Sequence, residues 1–67
     1  MDGLEKRFTY YPPKGTQPAR YEKIRDSACD LAFIIDDLAP DSREKSLAIT
    51  HLEEAVFWAN AAIARNE

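Results

Sequence analysis

Apolar side chains recur along this chain in two periodic runs. Tyr21, Ile24, Ala28, Leu31, Ile35 and Leu38 follow one another at alternating spacings of three and four, the signature of one buried helix face. Neither Gly nor Pro interrupts the run, so it predicts a helix over about 18–38 that opens at Pro18, a residue suited to the first helical position. Its length would be roughly 30 Å at about 1.5 Å per residue. Ala39-Pro40 ends it. Ile49, Leu52, Val56, Ala59 and Ile63 then repeat the pattern and predict a second helix over about 42–65. Asp41 is a candidate cap for it, with Glu44 reaching back as in a capping box, and Ser42 is the alternative. So short a connection forces the two helices to pack antiparallel as a hairpin. The expectation is an all-α protein with a single domain over 1–67.

The residues before the hairpin follow a different grammar. Residues 1–8 predict a short helical lead-in. Residues 9–17, TYYPPKGTQ, read as an arm. Pro12-Pro13 holds it extended and keeps the preceding residues out of the helical region, and Gly15 permits a turn into the first long helix.

The hairpin carries more apolar surface than two helices can cover between them. Ala48, Ala55 and Ala62 form a row beside the second seam. Leu47, Phe57 and Trp58 add further width, with Phe57 and Trp58 about 100° apart around the helix. Phe33 stands in a row with Asp26, Asp30 and Asp37. These leftovers call for burial against further copies of the chain, with the alanine row as a place of close approach. Length points the same way. With 67 residues the core is small, and such scaffolds need a staple. One cysteine, Cys29, makes no internal disulfide, and one Cys with one His (His51) cannot supply four metal ligands. Oligomerisation is the staple that remains.

Charge changes the picture again. The net charge of −3 argues against a general DNA or RNA binder, but it hides a separation. Residues 6–25 carry a net +5, while residues 26–67 carry a net −6. A segregated basic patch suits a compact anionic partner. No apolar stretch has the length of a leader core or a membrane span, so the expectation is a cytoplasmic setting without membrane contact.

Candidate chemistry lies in the arm. Cys29 sits beside Asp30 within the helix, which raises rather than lowers a thiol pKa. His51 reads as a surface or interface residue. The pairs Asp36-Asp37 and Glu53-Glu54 point to different sides of their helices and read as solvated faces. No phosphate-binding glycine loop is present, and a catalytic reading such as a phosphodiesterase lacks metal ligands and a general base. Tyr10 and Tyr11 are stacking-capable rings on a stiffened segment. Lys14 follows them, then a helix N-terminus with backbone donors at Ala19 and Arg20, and Arg25 one heptad beyond Pro18. These groups suit a small nucleotide. From composition alone they suit better still a hydrophobic strap of Tyr10, Pro12 and Pro13 across the hairpin. The two are compatible, because a strap laid on a neighbouring copy would build a pocket at the junction. The other reading is a module that inhibits a host protein through its acidic helices.

FTYYPPKGTQPARYEKIR together with SLAITHLEEAVFWANAAIARNE resembles the phage anti-CBASS sponge family, small proteins that sequester cyclic oligonucleotide signals. The resemblance implies a short N-terminal helix, two long antiparallel helices, a homohexamer, no catalysis and no cofactor. It implies binding of cyclic dinucleotides such as 3′,3′-cGAMP between protomers, and of cyclic trinucleotides such as cyclic triadenylate near three-fold axes. It also implies action in the host cytoplasm, where trapping these messengers would block CBASS effectors. Carried over residue by residue, it places Tyr10 as the base-stacking ring, or Tyr11 if the register is one off. Pro13, Lys14, Gly15 and Arg25 complete the dinucleotide site. Arg65, with Ser27, would serve the trinucleotide site.

Overall fold

The structure, a computed structural model, describes residues 3–67. It contains α1 (Leu4–Phe8), α2 (Gln17–Leu38) and α3 (Arg43–Asn66), and no strand among the described residues. Two antiparallel helices form the hairpin and the arm crosses one end of it. The expected lead-in helix is present as α1, and its predicted first residues, 1 and 2, lie outside the described residues.

The hairpin is shaped by its turn. Ala39 takes an extended conformation and donates its N–H to the Ile35 carbonyl at 2.9 Å, closing α2. Ser42, not Asp41, caps α3: its Oγ accepts from the Lys45 N–H at 3.1 Å. Asp41 instead accepts from the Lys45 ammonium at 2.9 Å, and the same ammonium reaches the Asp36 carboxylate at 3.0 Å. The Lys45 side chain is only 10% exposed, so the three groups staple the end of α2 to the start of α3. Beside the ammonium, the Asp41 carboxyl is held below its ordinary pKa and Lys45 above its own.

The seam of α3 holds as predicted, with Ile49, Leu52, Val56, Ala59 and Ile63 half-buried. The seam of α2 departs from the prediction. Tyr21, Ile24, Ala28 and Ile35 face α3, but Leu31 is 45% exposed and Leu38 77% exposed. Ala32 and Ala39 take the contact positions instead. A straight helix turns every 3.6 residues, so a strict heptad drifts by about 20° per repeat, and the contact line leaves the heptad positions toward the end of α2. Leu31, Ile34 and Leu38 are left together on an open flank.

No apolar residue is fully buried among the described residues. The molecule measures 43 × 29 × 12 Å, and its thinnest dimension is about the width of one helix. It is a single layer, whereas a self-sufficient domain packs at least two. Phe33, Phe57 and Trp58 are 70%, 61% and 66% exposed. The alanine row Ala48, Ala55 and Ala62 is exposed as well.

Candidate functional site

The arm is bound to the ends of both long helices. Gly15, at φ +54°, turns the chain into α2. The turn is stitched twice: Gln17 N–H donates to the Lys14 carbonyl at 3.0 Å, and Lys14 N–H donates to Gln17 Oε1 at 3.1 Å. Gln17 is 3% exposed, the one fully buried polar residue among the described residues. Helix α2 therefore begins at Gln17, one residue before the predicted start. Thr16 does not cap it with its side chain; its Oγ1 accepts from Arg20 Nε at 3.2 Å.

The end of α3 closes on this turn. The Arg20 guanidinium grips the Glu67 carboxylate through both terminal nitrogens, one at 2.7 Å. Gln17 Nε2 adds a donor at 3.4 Å, and the Lys14 ammonium reaches the Glu67 backbone oxygen at 2.6 Å. Hydrogen bonding from Arg20, with Gln17 and the Lys14 charge in support, holds the Glu67 carboxyl down from 4.5 to about 2. The expected backbone donor at Arg20 is spent on the Thr16 carbonyl at 3.1 Å, and it is the Arg20 side chain that holds the chain's own Glu67 carboxylate. On the α1 side, Lys6 donates to Asn66 Oδ1 at 2.6 Å, Arg65 to the Arg7 carbonyl at 3.3 Å and the Tyr11 hydroxyl to the Lys6 carbonyl at 3.0 Å.

Two concavities flank this latch. One, of about 420 Å³, is lined by Tyr10, Tyr11, Tyr21, Arg25, Asn60 and Arg65 with smaller neighbours. The volume falls within the range of small-molecule sites. The structure therefore brings together four residues named from the sequence: Tyr10, Tyr11 and Arg25 of the arm and α2, and Arg65 of α3. Tyr10 is 80% exposed, while Tyr11 is half-buried with its hydroxyl engaged. Arg25 is exposed, and no hydrogen bond or ion pair holds its guanidinium among the described residues.

The second concavity, of about 620 Å³, lies on the Lys6, Lys14, Gln17 and Glu67 side, with Tyr11 and Arg65 between the two. Lys14 thus stands beside the tyrosine cavity rather than in it, tied to Glu67. Pro13 and Gly15 are exposed and line neither cavity; they shape the arm. Ser27 is exposed on α2 and lines neither. Sequence reasoning missed Arg20 and Gln17 as latch residues, and Asn60 in the cavity wall. Arg20 was legible as a charge and a backbone donor but not as the partner of Glu67, which is far away in the sequence.

The remaining candidates stay apart from the cavity. Cys29 is a free, exposed thiol. His51 is exposed and its Nδ1 lies 3.3 Å from Glu54. No group of His, Cys, Asp and Glu that could hold a metal ion occurs among the described residues, and no described helix is long and apolar enough to cross a membrane. The cavity offers rings and guanidinium groups, which bind aromatic anions, and no nucleophile paired with a base.

Comparison with curated proteins and with solved structures returns no match. A family profile described as "Acb2/Tad1, hairpin domain" matches residues 2–64. Acb2 is the anti-CBASS cyclic oligonucleotide sponge family, and the helical hairpin on which the cavity is built is the domain that the profile describes. With nearly its whole length matched, the chain belongs to the Acb2/Tad1 hairpin-domain family.

Proposed function

We propose that this protein binds cyclic oligonucleotide messengers, cyclic dinucleotides foremost, and holds them without cleavage, so that CBASS effectors in the host cytoplasm are not activated. The observation that carries this reading is the tyrosine cavity: an uncommitted ring (Tyr10) and two arginines (Arg25, Arg65) converge on one opening. A cyclic dinucleotide presents two aromatic bases and two negative charges. Stacking on Tyr10 contributes about 1–3 kcal/mol per base, and arginine grips a phosphate through two nitrogens at once. Tyr10 is the more available stacker, because its ring is 80% exposed whereas Tyr11 is half-buried.

The working form is a homo-oligomer, for which the family suggests a hexamer. A single-layer hairpin with no buried apolar residue among the described residues needs neighbours to complete both its interior and its open cavity. Arg65 lines the cavity and also borders the exposed Phe57 and Trp58 surface, so it stands where a second copy would close over ligand. For cyclic trinucleotides such as cyclic triadenylate, Arg65 is the stronger contact. Ser27, remote from both cavities, would act only through a neighbouring copy.

The test is recovery. Protein mixed with 3′,3′-cGAMP should remove it from solution, and proteolysis should return it chemically intact. Tyr10→Ala and Arg25→Ala should each weaken retention while leaving the oligomer assembled. Recovery of a linearised or hydrolysed nucleotide would establish an enzyme instead, and no retention of any cyclic di- or trinucleotide would end the proposal.

A further inference from the structure

Close packing does not set the shape of the tyrosine cavity. Tyr10 is 80% exposed, Arg25 is exposed, and no apolar residue among the described residues is fully buried. The arm, α2 and the end of α3 must be held in one arrangement by other means. The three meet at Gln17, which lines the neighbouring concavity rather than this one. Its Oε1 accepts from the Lys14 N–H at 3.1 Å and, more weakly, from the Tyr21 hydroxyl at 3.5 Å. Its Nε2 donates to Glu67 Oε1 at 3.4 Å. Every partner belongs to a cavity wall or adjoins one. Lys14 closes the arm that carries Tyr10 and Tyr11, Tyr21 is itself a wall residue, and Glu67 lies two residues beyond Arg65. A buried carboxamide is costly wherever one of its groups lacks a partner. Methionine, of similar length, would fill the space without that liability. What the amide adds is direction: it sets a donor and an acceptor at fixed positions, and a satisfied buried network selects one arrangement of its parts.

We propose that Gln17 is a positioning residue for the tyrosine cavity, fixing the arm, Tyr21 and the end of α3 in the arrangement that receives the ligand, an inference that rests on the cyclic-oligonucleotide reading above. Gln17 itself touches no ligand. It acts on the arm through Lys14, on the wall through Tyr21, and on Arg65 through Glu67. The charged and titratable groups around it are Lys14 of the arm, Arg20 and Tyr21 of α2, and Glu67 of α3. These bonds shape each chain's share of the cavity before ligand arrives, so less of the binding free energy goes into ordering its walls.

The experiment is calorimetric titration of wild type, Gln17→Met and Gln17→Glu with 3′,3′-cGAMP at about pH 5 and about pH 8, each affinity being read against wild type at the same pH. Circular dichroism and sedimentation under the same conditions report helicity and assembly. Gln17→Met keeps the length and removes both hydrogen-bonding groups, so it should bind about tenfold more weakly at both pH values while staying helical and assembled. Gln17→Glu keeps an acceptor for Lys14 and Tyr21 but sets a second carboxylate against Glu67. Like charges this close push one carboxyl upward in pKa. Gln17→Glu should therefore lose about tenfold or more at the higher pH and regain most of it at the lower, where the shared proton restores a donor to Glu67. Wild type has no such step, because its Glu67 carboxyl, held at about 2, stays ionised throughout. The inference is overturned if helical, assembled Gln17→Met binds as wild type does, or if the loss in Gln17→Glu is the same at both pH values. It is overturned as well if Gln17→Met loses helicity or assembly, since Gln17 would then hold the fold rather than the cavity. Should Gln17→Glu fail to fold, Gln17→Met decides alone. Wild type that binds no cyclic nucleotide removes this inference together with the proposed function. Wild type that binds, beside folded variants that match it, removes this inference alone.

Discussion

Trp58 is the sole tryptophan of the chain and the most informative residue to remove. It is 66% exposed on the outer face of α3. A tryptophan can bury up to about 150–250 Å², so ~100–160 Å² of it remains available to a neighbour. At about 25 cal/mol per Å² this is worth roughly 2.5–4 kcal/mol for each copy that covers it. Every 1.4 kcal/mol is a factor of about ten in association, so Trp58→Ala should raise the dissociation constant of that contact by roughly two to three powers of ten. Phe57, next to it and 61% exposed, adds surface that the substitution leaves in place. Two measurements check this. Sedimentation over a dilution series should show Trp58→Ala dissociating at far higher concentration than wild type. In wild type the emission of this single tryptophan should shift to the red on dilution, as the ring passes from a neighbour into water. Circular dichroism separates the effect from unfolding, because Trp58 lies off the α2–α3 seam and α3 should keep its helicity at concentrations where both proteins are assembled. An unchanged dissociation constant, with wild-type emission constant from the assembled to the dissociated limit, would refute the assignment of this face to subunit contact.

Three further outcomes follow from the turn and the latch. Ser42→Ala removes the side-chain acceptor for the Lys45 N–H and should lower stability by about 1 kcal/mol in urea titration; a change within error would mean that Asp41 takes over as cap. Gly15→Ala should cost about 1–2 kcal/mol through backbone conformation alone, since φ is +54° and nothing lies within 4 Å of the added carbon; the same titration reads it, and Gly15→Asn should be milder. The depressed Glu67 carboxyl stabilises the docked arm above pH 4.5, and that contribution should disappear as pH falls through about 2. Glu67→Gln should flatten the melting temperature between those limits, and a parallel decline in both proteins would show that Glu67 is not responsible.

The helices were legible because their periodicity is local. The two runs placed α2 and α3 to within a residue, and Ala39-Pro40 placed the turn. What the runs could not show was which side of each heptad would win. Leu31 and Leu38 fit the repeat and still end on an open flank, since helical drift accumulates only in three dimensions. The cap was ambiguous for a similar reason. Asp41 and Ser42 both suit the role, and the choice was made by Lys45, whose ammonium claims Asp41. In the site, the arm and Arg25 stood out as rings and charge in a chain otherwise acidic. Asn60 gave no signal, because a lone asparagine in a helix is unremarkable until its oxygen is found buried and unpaired. The Arg20–Glu67 pair joins residues whose proximity depends on the whole hairpin having closed.

The hairpin is clamped at both extremities by polar groups, Lys45 with its two aspartates at one and the Glu67 latch at the other. Such bolts fix the sliding register of the two rods before any sibling arrives. In the proposed assembly, recognition between copies would then be a meeting of pre-shaped plates, with mating surfaces presented in a fixed outline while their greasy middles are still wet. The entropy lost on joining is correspondingly reduced, since little of the backbone has to be arrested at that moment.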